Sequence, residues 1–226
     1  MDLQAIALSF ELAGLTTLIL LFLGLPLGYW LANTPRRRAR VLIEALVALP
    51  LVLPPTVLGF YVLLALGPES PIGRAYERLT GGLLPFSFEG LLVASVLYSL
   101  PFSVQPFATA FAAVDPRLVE ASLCLGESRL ATFMRVSLPL SWPGVVAGMV
   151  LSFAHTVGEF GVVLMVGGNV PGVTRTASIS IYDAMQSLDY AAAGRTSLFL
   201  LGLSFVVLVV TYALQGSVFR AWPSRS

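Results

Sequence analysis

His155 and Glu159 are the residues whose types most directly suggest chemistry: four apart in an apolar stretch, they could share one helix face as a metal pair or a proton relay. A zinc site takes three or four protein ligands, and the chain has a single histidine. The residues therefore favour a polar pair, hydrogen-bonded where helices or subunits meet, with ion contact as the alternative. No metal site is expected. Nucleotide chemistry is excluded on firmer ground. A phosphate-binding loop needs a lysine to reach the nucleotide phosphates, and all thirteen cations here are arginine. No Walker motif exists in this chain, and no catalytic residue is expected.

The elements that carry these residues belong in a membrane. The 226-residue chain is 57% hydrophobic and 11% charged, where soluble domains average about 25% charged residues. Such a composition cannot cover a water-facing surface, so one all-α membrane domain over 1–226 is expected. Cys124 has no partner for an intrachain disulfide and reads as a small apolar filler. The first eleven residues carry Asp2 and Glu11 but no cationic side chain, unlike a cleaved secretory signal, so the first apolar run is expected to be a retained span. Crossing the hydrocarbon core takes about 20 mostly apolar residues. Five stretches qualify: Leu12–Ala32, Leu42–Leu66, Gly90–Ala113, Leu140–Val166 and Thr196–Ala213. The segments Gly67–Glu89, Val114–Pro139 and Gly167–Arg195 are left as loops.

Arginine placement orients the bundle, because cytoplasmic segments are enriched in cations. Arg36, Arg37, Arg38, Arg40, Arg117, Arg129, Arg135, Arg220 and Arg225 fall on one side, and Arg74, Arg78, Arg175 and Arg195 on the other. The N-terminus is thus expected outside, with the C-terminus and 114–139 cytoplasmic. The Arg36–Arg40 cluster reads as a topology anchor beside two spans, ahead of nucleic-acid or anionic-lipid binding. Glu44 lies within reach of water or Arg40. Pro54 and Pro55 interrupt the second span, since consecutive prolines remove donors and clash with the preceding turn. Broken helices in membranes occur where backbone is buried in protein or lines a cavity, which points to a pathway protein. Gly144 and Gly148 have the spacing that permits close helix approach.

The segment 114–139 has the most specific pattern. Asp115 followed by Pro116 is a helix start, because the carboxylate accepts orphan N–H groups and proline suits the first helical position. Leu118, Ser122 and Leu125 fall on one face, with Val119 and Leu123 beside them. Gly126 breaks the run. A helix, a glycine turn and a second helix make a knob able to seat in a groove on another protein, or else to lie on lipid.

Glu120-Ala121-Ser122, three residues, Gly126, nine residues and then Val136-Ser137-Leu138-Pro139 resembles the EAA loop of ATP-binding-cassette importer permeases. Ser122 stands for the last alanine of that pattern and Val136 for its isoleucine. The resemblance implies a coupling loop comprising Asp115, Pro116, Glu120, Ala121, Ser122, Gly126, Val136, Leu138 and Pro139, docked on an ATPase. Further stretches, Leu53–Leu64, Gly158–Gly161, Gly167–Gly172 and Thr174–Ile179, look like molybdate permeases, with sulfate and thiosulfate permeases as close relatives. That resemblance implies a type I importer permease in a bacterial inner membrane. It also implies a second copy of the chain, two ATP-binding subunits on the cytoplasmic side that hold ATP and Mg, a periplasmic oxyanion-binding protein and no nucleic-acid partner. No cofactor is expected in this chain. Molybdate is the expected ion, with sulfate, thiosulfate or tungstate as alternatives. A self-powered secondary transporter fits less well, because five spans without evident inverted repeats or coupling charges are few.

A dianion prefers water to protein unless arginine or several directed donors meet it, and the spans hold almost no arginine. Selectivity is therefore expected in the binding protein, with a weak hydroxyl-lined path through the bundle. Thr56, Ser152, Thr156 and Ser178 are the hydroxyl candidates, and Pro54, Pro55 and Glu159 are candidates for the path or its gate.

Overall fold

The computed structural model describes residues 1–220; side chains are described through Val209 and at Thr211, so Arg225 and the side chain of Arg220 lie outside the described residues. Among them the chain is helical throughout, without a strand: α1 (Leu3–Asn33), α2 (Arg37–Val52), α3 (Pro55–Leu66), α4 (Pro71–Thr80), α5 (Phe88–Ala112), α6 (Pro116–Cys124), α7 (Arg129–Thr132), α8 (Leu138–Gly158), α9 (Gly161–Gly167), α10 (Ala177–Gln186) and α11 (Tyr190–Arg220). By length and composition, four helices and one bent pair could cross a membrane, in line with the five expected spans.

Helix starts follow local chemistry. The Asp2 carboxylate accepts from Ala5 N, Ser70 Oγ from Gly73 N and Ser87 Oγ from Gly90 N, each satisfying an orphan donor of the first turn. Capping by Asp2 starts α1 at Leu3, nine residues before the apolar run alone indicates. Likewise Asp189 Oδ1 accepts from Ala192 N, and α11 begins at Tyr190 rather than Thr196. Two segments expected as loops carry short helices: α4 within 67–89 and α10 within 167–195.

Helix α5 is central and packs on α1, α2, α8 and α9. Without a hydrophobic drive between helices in lipid, close van der Waals packing has to hold them, and small residues permit it. Gly144 and Gly148 serve this purpose inside the chain: β-carbons placed on them would lie 2.5 Å from Ala110 Cβ and 2.7 Å from Phe107 Cε1 of α5. Phe107, fully buried, forms a core cluster with Phe111 and Val145. A second cluster joins Val62 and Leu66 of α3 to Ala94 of α5 and Val162 and Val166 of α9.

Two spans are broken. Helices α2 and α3 diverge by 112° at Leu53–Pro54, as the prolines require. The fourth span differs from the continuous Leu140–Val166 stretch that its apolar run suggests. It begins at Arg129, on the far side of Pro139, and its helix stops at Gly158; Glu159 and Phe160 leave the helical path before α9 resumes. Pro139 does not end the helix, because a π-helical turn over Phe133–Ser137 precedes it, with Leu138 N bonded to Phe133 O. This wider turn lets α7 run on into α8.

Candidate functional site

The knob forms at the end of the bundle where α1 and α5 finish. Asp115 Oδ1 accepts from Arg117 N at 2.9 Å and Pro116 opens α6. Gly126 has φ +89°, the left-handed region where a β-carbon is strained, so glycine is required to reverse the chain there. Glu127 N then returns to Ser122 O at 3.2 Å. Ser128 Oγ caps α7 by accepting from Ala131 N. The turn is fastened by a Ser122–Thr132 hydroxyl bond of 3.0 Å and an Arg135–Glu127 ion pair.

Glu120 and Ala121 are exposed. So are Leu118, Leu123, Leu125, Leu130 and Met134, with Leu125 86% accessible. Ser122 does not share the outward face with Leu118 and Leu125, because its hydroxyl turns inward to buried Thr132. Cys124, read from the sequence as a small apolar filler, is exposed on the same knob. The tip of this compact turn therefore presents a contiguous set of exposed apolar side chains, the kind of surface that contacts protein or lipid. Val136 and Leu138 are partly buried and Pro139 is exposed, all within the continuous helix that leads from the knob into the membrane. The second helix of the knob thus joins α8 without an intervening loop.

The seven path candidates fall into three places. Pro54, Pro55 and Thr56 are exposed at the break of the second span. Ser152, Thr156 and Glu159 are buried along and just beyond the end of α8. Ser178 is partly buried on α10. Thr56 and Ser178 thus differ in exposure from the buried Ser152 and Thr156, while Pro55 packs against Gly161, two residues beyond Glu159.

The α8 group is completed by α5, where Ser95 and Ser99 recur at helical spacing and are fully buried. Ser99 Oγ lies 2.8 Å from Thr156 Oγ1 and 2.9 Å from His155 Nδ1. His155 stacks on Phe102 at 3.9 Å between centroids and tilts against Tyr98. His155 thus pairs with Ser99, and Glu159 lies past the helix end with extended backbone, so the two do not form the shared-face pair that their spacing suggests. Ser95 Oγ, Ser152 Oγ and both Glu159 carboxylate oxygens are buried without a hydrogen-bond partner among the described residues. The serine stripe on α5 was readable as a four-residue period, but only its contact with α8 marks it as part of this cluster. Among the described residues no group of three potential metal ligands exists.

Near the knob end, Arg40 Nε donates to Glu44 Oε1 at 2.8 Å, as their i,i+4 spacing predicts. At the opposite end Arg175 gathers the chain. Its Nε donates to Asn169 Oδ1, and its guanidinium reaches Asp183 at 3.4 Å and Asp2 at 4.0 Å, tying α1, α10 and the intervening loop together.

Comparisons with known proteins agree with this architecture. The chain is 51% identical over 94% of its length to the molybdenum transport system permease protein ModB of Azotobacter vinelandii, covering 93% of that protein. It is 34% identical over 90% to the putative molybdenum transport system permease protein YvgM of Bacillus subtilis, covering 89% of it. Among solved structures, the MetNI methionine ABC transporter in an inward-facing conformation matches with a TM-score of 0.70 at 16% identity, covering 96% of this chain and 95% of that one. A bacterial alginate ABC transporter matches with a TM-score of 0.74 at 17% identity, covering 96% and 78%. The fold is that of ABC importer permeases. The model of the binding-protein-dependent transport system inner membrane component matches residues 24–221, and the chain belongs to that family of membrane transport subunits.

Proposed function

We propose that this chain is the membrane-spanning subunit of an ATP-driven molybdate importer, providing the translocation path and coupling it to a separate ATPase. The observation that carries the coupling half is the knob. Glu120, Ala121 and Gly126 stand at the spacing of the EAA loop, on a turn whose apolar residues face outward and whose second helix continues into a membrane span. The substrate half rests on similarity to molybdenum permeases along nearly the whole chain.

The partners follow from this reading. Two ATPase subunits would seat the α6 knobs of two copies of the chain, and a periplasmic binding protein would deliver the ion to the opposite end. The arginine bias supports a cytoplasmic knob and C-terminus with the N-terminus outside, in a bacterial inner membrane. ATP-driven closure of the partners moves the knob, α8 follows, and access alternates between sides. ATP and Mg stay on the partner, since this chain has no lysine for a Walker loop.

Affinity purification of the tagged chain in mild detergent tests the coupling half: co-recovery of an ATPase supports it, and uptake by the chain alone without ATP overturns it. Reconstituted uptake of molybdate with tungstate, sulfate and thiosulfate as competitors tests the ion.

A further inference from the structure

A cleft of about 470 Å³ opens between α2 and α5 at the knob end of the bundle, a volume in the range of small-molecule sites. Its walls include Val47 and Ala108, and its polar groups are Arg40, Glu44, Gln105 and Thr109. Gln105 and Thr109 are exposed although they sit on a helix apolar enough to span the membrane. An amide turned to hydrocarbon is costly, so this face of α5 belongs against water or protein rather than lipid tails. The Thr109 proton is committed to the Gln105 main-chain carbonyl at 2.9 Å. The donors left for a ligand are the Gln105 carboxamide and the terminal nitrogens of Arg40, whose Nε alone is taken by Glu44. Arg36, Arg37 and Arg38 are exposed within four residues of Arg40 at the start of α2, which adds positive charge to the same helix end.

We propose that this cleft is a low-affinity transit site for a tetrahedral oxyanion leaving the permease, with Arg40 and Gln105 as donors and Glu44 as built-in competitor. The proposal rests on reading the chain as an oxyanion permease. A release site has to attract the ion without retaining it. Arg40 and Glu44 side chains are each 45% exposed, so their pairing is weak enough for a dianion to displace Glu44 from the guanidinium and strong enough for Glu44 to reclaim it. A plain helix-surface ion pair predicts something different, because removing either partner would then have the same effect.

The test uses the permease with its ATPase in proteoliposomes that expose the cytoplasmic face, with loaded binding protein in the lumen. ATP-driven export is followed as molybdate is raised outside, with chloride at matched ionic strength as control. Glu44→Gln should lower the half-inhibitory molybdate concentration about fivefold and Arg40→Gln should raise it about fivefold, the scale of an exposed ion pair. Gln105→Ala should act in the Arg40→Gln direction, and the double variant should resemble Arg40→Gln. Shifts of the same sign in the two single variants, or a wild type insensitive to external molybdate, overturn the transit site. An Arg40-dependent response to phosphatidylglycerol in place of the oxyanion also overturns it, in favour of a bound lipid. If the wild type exports sulfate and not molybdate, the molybdate reading falls, and the same titration with sulfate decides the site.

Discussion

Gly161 of α9 lies against Pro55 of α3, so closely that a β-carbon on Gly161 would come 2.8 Å from Pro55 Cβ. The two broken spans therefore meet at their breaks, with the interruption after Gly158 set beside the one at Leu53–Pro54. Breaks free backbone groups that lipid cannot satisfy, and this contact packs protein against both, with Glu159 buried while Pro54 and Pro55 keep exposed surface. Gly161→Val should overpack this contact and cost about 1–3 kcal/mol. The measurement is the melting temperature of the detergent-purified complex, and a wild-type value for the variant would show that the breaks are not in tight contact.

The knob should lose its partner before it loses its shape. Leu125 is 86% accessible and contributes little to the chain's own packing. Leu125→Asp should leave expression and melting of the permease unchanged while reducing co-purified ATPase at least several-fold, because a buried charge at an interface core is strongly disfavoured. Undiminished recovery of the ATPase would place the docking surface elsewhere.

The two fastenings of the knob should differ in worth. The Arg135–Glu127 pair joins an Arg135 side chain 71% exposed to a Glu127 side chain 36% exposed, and such pairs contribute about 0–1 kcal/mol. The Ser122–Thr132 bond ends on a buried hydroxyl, and losing it leaves that group unpaired at a cost of about 1–3 kcal/mol. Hydrogen exchange across 120–132 should therefore accelerate more in Ser122→Ala than in Arg135→Ala. Equal acceleration would assign the turn's stability to Gly126 geometry alone.

How far the sequence reached depends on the range of the interaction. The knob was legible because caps, proline and glycine act over a few residues: Asp115, Pro116 and Gly126 behave as their types dictate. The break at Pro54 was legible for the same reason. The break at Glu159 was not, since the apolar residues on both sides of Gly158–Gly161 read as one span long enough to cross, and the packing of Gly161 against Pro55, about a hundred positions earlier, is a long-range contact. The continuity across Pro139 was hidden too, because a π-turn has no residue signature. Burial of Ser152 and Thr156 against Ser95 and Ser99 is likewise a matter of which helix face meets α5, and composition does not specify that.

Glu159 is 4% exposed, and no cation pairs with it among the described residues. Replacing a carboxyl that has no cationic partner in such a place by its amide should not destabilise the chain, whereas removing half of a buried ion pair costs about 3–5 kcal/mol. Glu159→Gln should thus keep or raise the melting temperature of the assembled complex. A drop of several degrees would reveal a cationic partner supplied by another subunit.

The hydroxyl path makes the last prediction, and the structure divides it. Thr156 is held by Ser99 and by the Ser152 carbonyl at 2.9 Å, so Thr156→Ala should lower stability and transport together. Thr56 is exposed, and Ser178 makes no side-chain hydrogen bond among the described residues. Their joint replacement by alanine should reduce molybdate uptake without shifting the melting temperature, because only a passing ion would use those donors. If alanine at Thr56, Ser152, Thr156 and Ser178 together left rate and selectivity unchanged, the ion would have to travel along backbone groups and water instead. In that case the Arg40–Gln105 cleft would still offer side-chain donors to the ion.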